Sequence, residues 1–392
     1  MKLKSYNHTI TACTLGYVVQ AIVNNFITLL FVYFANNYSI TLSQIATLSA
    51  FNFFIQLCMD MAAPYMTKVL GCRGMAILAH FMASIGLILM TILPEHIKPS
   101  IAFLISSCTY AVGGGVIEVM VSPMVESCPT PENKKASIMS MLHSFYSWGQ
   151  LGVIILSSLF FLFFGIGNWK VMAYLWAIIP LVNGFYFMFV PIVPPISPEK
   201  GMSLKELFSS SSFRLFMVFM ICAGMCELSM AQWASAYAEK TLGLPKAIGD
   251  LALPCFFALL MGVSRVVNSR YSEKLSGKKY MLLCGGLCFI AYTLVAISPN
   301  PVVGMIGCGL CGFSVGIMWP GTYSIASKAL PQGGLLMFSL LALGGDIGCS
   351  FGPAMVGYIS NTFNNNLHIG MITGIAASLI LIIAVLKSIK EE

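Results

Sequence analysis

Apolar runs of about 20 residues or more recur from one end of the chain to the other, parted by short clusters of polar and turn-forming residues. A helix rises about 1.5 Å per residue, so such a run crosses the roughly 30 Å hydrocarbon layer of a bilayer. The runs fall near residues 8–34, 44–67, 74–93, 100–125, 138–164 and 171–193. A second set falls near 212–239, 249–270, 280–298, 302–328, 335–361 and 369–387. Between them stand Asn36-Asn37, Pro94 to Pro99, Pro129 to Lys135, Gly167-Asn168, Ser272 to Lys279, Pro299-Asn300-Pro301, Pro331-Gln332 and Asn364 to Asn366. The pattern predicts an all-α membrane protein with twelve transmembrane helices.

The least apolar connection runs from Pro194 to Ser212. It holds Pro194-Pro195 and Pro198, then Ser203-Leu-Lys-Glu-Leu-Phe208, then a serine run. Ser203 with Glu206 three residues on predicts a capping box at the start of a short helix. The stretch 194–212 is expected to be an interfacial linker, with 1–193 and 213–392 as two six-helix bundles.

Composition agrees. Of 392 residues, 58% are hydrophobic and only 9% charged, with a mean hydropathy of +0.85. Soluble domains carry about 25% charged residues, and a chain this apolar needs lipid around it. The 13 cysteines lie mostly inside apolar runs. They read as small core hydrophobes, the CxxC-spaced Cys308 and Cys311 included, since no His or charged partner accompanies that pair. Lys2 and Lys4 precede an apolar stretch too long for a signal-peptide core, which reads as the first helix.

Charge supplies an orientation. With the N-terminus inside, 17 of the 21 Lys and Arg fall in cytoplasmic segments. Lys98, Lys170, Lys240 and Lys246 are the external four. An even number of spans with both termini in the cytoplasm satisfies the positive-inside rule. The net charge of +7 is scattered over many short loops, which points to no nucleic acid. A multi-pass protein of the cell membrane, monomeric in the bilayer, is the expectation.

Ionisable residues at mid-membrane are costly and mark functional candidates. Glu118, His143, Glu227 and Asp346 lie inside the fourth, fifth, seventh and eleventh predicted spans. Glu118 follows Gly113-Gly-Gly115 and precedes Pro123, a setting of close helix contact and loosened backbone bonding. It is the first candidate for a proton-coupling carboxyl, with Glu227 and Asp346 beside it. Each has an alternative role as a structural carboxyl bonded to a neighbouring helix. His143 reads as a packed or substrate-contacting polar residue, with a proton relay as the sharper alternative.

Amides and aromatics suggest a lining. Gln20, Asn24 and Asn25 lie in the first span, Asn52 and Gln56 in the second, Trp148 and Gln150 in the fifth. Gln232 and Trp233 lie in the seventh, Trp319 and Tyr323 in the tenth. Amides bond hydroxyls and rings stack on C–H faces, a combination suited to a sugar. Some of these side chains serve instead as hydrogen-bonded contacts between helices. Two loops occupy equivalent places in the two halves, one from Asp60 through Lys68 to Arg73 and one from Arg265 through Lys278 to Lys279. Their charges read as gating groups or as ordinary positive-inside residues.

With these residues in view, the chain resembles the major facilitator superfamily in length, six-plus-six layout and paired basic loops. More narrowly it resembles the fucose permease branch, the fucose–galactose–glucose:proton symporters. Gly115-Val-Ile-Glu-Val-Met-Val-Ser-Pro123 is similar to that branch's fourth-span motif. His143-Ser-Phe-Tyr-Ser-Trp-Gly149 resembles its fifth-span stretch, and Gly224 to Trp233 and Met318 to Tyr323 resemble its seventh and tenth spans. The resemblance implies that Glu118 takes the place of the branch's protonatable glutamate. Departures are visible: no acid accompanies Asn24-Asn25, Ser122 stands where Asn precedes Pro, and His143 stands where Asn leads the fifth-span motif.

The expected function is secondary active transport by alternating access. The expected cargo is a sugar or similar small polar solute, moved with protons and bound near mid-membrane. No cofactor and no metal are implied. An exporter of drugs or metabolites with the same fold is the alternative, kept open by 25 Met and 27 Phe. Against a membrane enzyme, the loops show no nucleophile with a base and no phosphate-binding glycine loop. Against a receptor, no loop is long enough for a separate binding domain.

Overall fold

The computed structural model describes residues 5–38, 40, 42–195, 201–240, 243, 246–271, 277–364 and 366–390. Lys2, Lys4, Pro198 and Ser272, named above, lie outside the described residues. Among those described, eleven helical stretches are long and apolar enough to cross a membrane. The longest, Phe51–Glu95, is 45 residues and joins two spans. They part at Gly71, whose φ of 66° and ψ of 164° suit a residue without a Cβ. Twelve spans result, matching the count of apolar runs.

α1 is Asn7–Asn25, continued by a 3-10 turn at Ile27–Leu30 and a short helix Phe31–Tyr38. Asn36 and Asn37, expected to break the chain, lie inside that short helix. α2 covers 42–70 and α3 covers 72–92. α4 is Pro99–Glu126, α5 Glu132–Phe164 and α6 Trp169–Phe187. In the second half α7 is Ser211–Lys240, α8 Lys246–Tyr271 and α9 Gly277–Ile297. α10 comes in two pieces, Pro301–Val315 and Met318–Ala329. α11 is Gly334–Thr362, and α12 is Ile372–Lys390 after a leading turn Leu367–Gly370.

α5 begins six residues before its apolar run, at Glu132, so Lys134 and Lys135 are helical and not loop residues. Lys135 pairs with Glu132 one turn back at 2.7 Å. Charged residues of this kind extend a helix beyond its apolar segment without cost, because helix propensity does not require lipid contact.

The chain divides into two compact units. The first comprises Met1–Pro129 and Phe145–Lys200, the second Thr130–Ser144 and Gly201–Glu392. In the first unit, small residues bring the helices together. A Cβ on Gly113 would stand 2.7 Å from the Ala83 nitrogen, and one on Gly115 would stand 2.8 Å from the Gln56 Cα. Only glycine lets α4 approach α3 and α2 this closely. In the second unit the same role falls to Gly224, Gly348 and Gly352 between α7 and α11. Large apolar side chains such as Leu162, Phe163, Ile297 and Ile383 stay exposed on the helix surfaces, as a lipid-facing shell requires. Cys308 and Cys311 are buried, their thiols directed at the carbonyls of Leu253 and Cys226.

The predicted capping box forms. Ser203 accepts from the Glu206 amide while Glu206 accepts from the Ser203 amide, opening the helix Leu204–Ser209. Leu207 is fully buried, and the Met202 amide donates to the Gln332 carbonyl at 2.9 Å. The segment after residue 201 is thereby docked onto the second unit.

Candidate functional site

In each unit, buried polar side chains singled out by the sequence gather in a cluster. In the first unit it rises from one face of each of three helices. Tyr17, Gln20 and Asn24 share a face of α1, Asn52 and Gln56 a face of α2, and Gly114, Glu118 and Ser122 a face of α4, by helical spacing. Gln20 Nε2 donates to Glu118 Oε2 at 2.5 Å. One turn along α1, Asn24 Oδ1 accepts from Gln56 Nε2 at 3.0 Å and from Asn52 Nδ2 at 3.3 Å. Tyr17 and Ser122 share a hydroxyl bond of 2.9 Å. The missing Cβ at Gly114 seats the Gln56 amide, which would lie 3.7 Å from it.

The bonding is incomplete in a directed way. Asn24 Oδ1 has both lone pairs engaged. Among the described residues, Gln20 Oε1 and Asn52 Oδ1 have no hydrogen-bond partner, although the two residues are only 3% and 7% exposed. A buried carbonyl without a donor costs about 1–3 kcal/mol, so a water or a solute that brings a donor there relieves that cost. The cluster offers acceptor oxygens and one ionisable carboxyl. A proton on Glu118 would convert an acceptor into a donor.

The second cluster lies in the second unit and centres on Arg265. Its Nε donates to the Gly316 carbonyl and its Nη1 to the His143 carbonyl, each at 2.8 Å. Its Nη2 stands 3.8 Å from Glu227 Oε2. The Gly316 carbonyl is free for this because the residue four places on is Pro320, which has no N–H to return. The break in α10 at 316–317 lies at this missing bond. Ser140 donates to the Arg265 carbonyl at 2.7 Å, and Ser137 and Ser269 share a bond of 3.1 Å. The His143 ring lies 5.7 Å from the Tyr323 ring, and Tyr323 lies 6.5 Å from Trp319 and stacks on Phe338 at 5.1 Å. The distal edge of the Trp319 ring packs against Gly345, the neighbour of buried Asp346. Its Nε1–H, in a side chain 8% exposed, has no acceptor.

Other residues singled out by sequence go elsewhere. Trp233 Nε1 donates to the Pro353 carbonyl at 3.0 Å, so its polar edge ties α7 to α11. Gln232 is exposed and Gln150 half-buried, and neither joins a hydrogen-bonded cluster among the described residues. Asp60 is buried in α2, and Lys68 lies 5.7 Å above the Tyr65 ring. Arg73, at the start of α3, donates to the carbonyls of Phe187 and Met188 at 2.7 and 2.9 Å, ending α6. Lys278, at the start of α9, donates to the Ser388 carbonyl at 2.8 Å, near the end of α12. In each half the basic residue opening the third span caps the sixth, where a cation meets the negative end of the helix dipole.

One polar node escaped the sequence reading. His80 Nδ1 donates to the Ala76 carbonyl at 2.7 Å. Its Nε2 accepts from Asn183 Nδ2 at 2.8 Å, and Asn183 also donates to the Ala12 carbonyl at 2.9 Å. The node joins α3, α6 and α1. The rule that selected Glu118 and His143, an ionisable residue inside an apolar run, applies equally to His80 and would have found it.

The comparisons with known proteins fit this geometry. The sequence model of the Major Facilitator Superfamily matches residues 13–353. An uncharacterized MFS-type transporter of Yersinia pestis is 22% identical over 318 residues, 78% of this chain and 77% of that protein. Among solved structures, the fucose:proton symporter FucP of E. coli superposes with a TM-score of 0.82 at 16% identity, covering 98% of this chain and 99% of that one. The human organic anion transporter MFSD10 superposes with a TM-score of 0.74 at 14% identity, covering 98% and 100%.

Proposed function

Because the chain belongs to the major facilitator superfamily, and is a membrane transporter rather than an enzyme, we propose that it carries a sugar or similar small polar solute together with protons. Glu118 is the coupling carboxyl in this reading. Gln20, Asn24, Asn52 and Gln56 bind cargo in the first unit, and His143, Trp319 and Tyr323 bind it in the second. The halves 1–193 and 213–392 act as related six-helix bundles, in a cell membrane, with both termini cytoplasmic and the chain working as a monomer.

The observation that carries the reading is the 2.5 Å bond from Gln20 to Glu118, set among amides whose acceptors Gln20 Oε1 and Asn52 Oδ1 await a donor. A polyhydroxylated solute supplies such donors. FucP, named as a fucose:proton symporter, has this fold at a TM-score of 0.82. An organic anion, the cargo in the name of MFSD10, fits less well. It calls for a buried cation free to meet it, and Arg265 is already engaged by Gly316, His143 and Glu227. The drug-exporter alternative is not favoured, since both clusters are polar.

The test is uptake of labelled L-fucose, D-galactose and D-glucose into proteoliposomes, with and without an imposed pH gradient. Gradient-dependent accumulation of one of them is expected. Equal uptake in both conditions removes proton coupling, and uptake of none removes the sugar reading.

A further inference from the structure

The Arg265 cluster assigns a role to Glu227 that differs from proton carriage. Arg265 is 2% exposed. A guanidinium keeps its proton under all working conditions. Two of its nitrogens are spent on the carbonyls of Gly316 and His143, which satisfy hydrogen bonds and neutralise no charge. A buried cation of this kind needs an anion nearby, and Glu227 Oε2 stands 3.8 Å from Nη2. That distance is inside ion-pair reach and beyond a hydrogen bond. Protonating Glu227 would remove this counter-charge, so Arg265 favours the ionised carboxyl.

The same oxygen is chemically incomplete. Glu227 Oε2 is buried and, among the described residues, has no hydrogen-bond donor. An ionised oxygen held in that state lacks the bond that charged groups make most strongly. From Glu227 a continuous set of contacts runs through Arg265, the His143 carbonyl, the His143 ring and Tyr323 to Trp319. Trp319 Nε1–H, at the far end, is a donor with no acceptor. One end of the set lacks a donor and the other lacks an acceptor. Hydroxyl groups are both.

We propose that Glu227 is the hydroxyl acceptor for the cargo in the second unit, kept ionised by Arg265, and not a coupling group. The proposal rests on the reading that the cargo is a neutral hydroxylated solute. It also gives that site a selection rule, because the carboxylate oxygen can accept from a hydroxyl and finds no donor on an anionic group.

The test uses the full-length protein in proteoliposomes under an imposed pH gradient. The probes are L-fucose, D-galactose, D-glucose and the organic anion p-aminohippurate. For whichever sugar the wild type accumulates, Glu227→Gln is expected to raise KM about tenfold or more, the effect of losing a bond to a charged group. It should leave the accumulation ratio at saturating sugar near the wild-type value. A lowered ratio with unchanged KM makes Glu227 a proton carrier and overturns the proposal. Unchanged KM and ratio overturn it too, while the sugar reading stands. Uptake of p-aminohippurate alone, or of no sugar, overturns the sugar reading and this proposal with it. Should Glu227→Gln fold poorly, thermal unfolding in detergent decides. The double variant Glu227→Gln/Arg265→Gln is expected to be more stable than Arg265→Gln alone, and a double variant no more stable overturns the counter-ion role.

Discussion

Gln20 and Glu118, on α1 and α4, meet side chain to side chain at 2.5 Å. The bond spends one amide N–H of Gln20 on the carboxyl and leaves Gln20 Oε1 without a partner. A change of charge at Glu118 therefore alters a bond that ties it to the amide cluster. Glu118→Gln mimics the protonated state. It is expected to abolish uphill, pH-driven uptake while keeping downhill exchange in part. Accumulation and exchange measured in the same vesicles check this; retained accumulation would move coupling to another residue.

The two tryptophans should separate. Trp319→Phe removes an N–H that has no partner among the described residues, together with the distal ring edge that reaches Gly345. It is expected to weaken solute binding by about 0.5–1.5 kcal/mol, while any loss of thermal stability reports the vacated ring edge and not a hydrogen bond. Trp233→Phe removes the donor to the Pro353 carbonyl and should lower stability by a similar amount with binding unchanged. Titration of tryptophan fluorescence with sugar, beside thermal unfolding of each variant, distinguishes the two. The reverse pattern would put Trp233 at the cargo.

His80 and Asn183 should behave as structure. His80→Leu strands the Asn183 N–H inside the first unit. A loss of about 1–3 kcal/mol is expected for the unmet donor, with the uptake KM unchanged. A variant that unfolds normally yet no longer accumulates solute would show that His80 relays protons.

Gly115→Val should disrupt the first unit. Its Cβ would stand 2.8 Å from the Gln56 Cα and 2.9 Å from the Met59 Cβ, so α4 must move off α2. Overpacking of this kind costs about 1–3 kcal/mol, and here it also displaces the Gln56 amide from Asn24. Reduced detergent-soluble yield together with weaker sugar binding is expected. Normal yield and affinity would mean that the two helices separate freely at this level.

The linker helix carries a pH signature. Backbone and side-chain hydrogen bonds from Ser203 hold the Glu206 carboxyl below the usual glutamate value. A carboxyl whose value is lowered by folding stabilises the folded helix above its unfolded value, about 4.3. The contribution fades as pH falls through the lower, folded value. Hydrogen exchange at the Leu207 amide should therefore show protection lost on acidification below about pH 4, and Ser203→Ala should lose that dependence. A variant with the wild-type pH profile would place the effect in another group.

The number of spans, their order and the linker capping box were legible in the sequence because each depends on residues close together in the chain. A helix in lipid satisfies its own backbone, so length and apolarity suffice to mark it, and Ser203 finds Glu206 within one turn. The break in α10 was not legible in the unbroken run 302–328, since Pro64, Pro123, Pro180, Pro254 and Pro353 sit inside continuous helices. Residue type alone could not say which polar side chains meet. Asn52 and Gln56 converge on Asn24, and Glu118 on Gln20, because the glycines of α4 admit its neighbours at backbone distance. Trp233 and Trp319 look alike in the sequence, yet one N–H is spent on Pro353 and the other has no partner. Glu227 and Glu118 look alike as mid-span acids, yet one stands beside Arg265 and the other against an amide. Backbone bonding inside a bilayer is local and follows from the chain, whereas side-chain bonding between helices is decided by packing, which only the folded structure supplies.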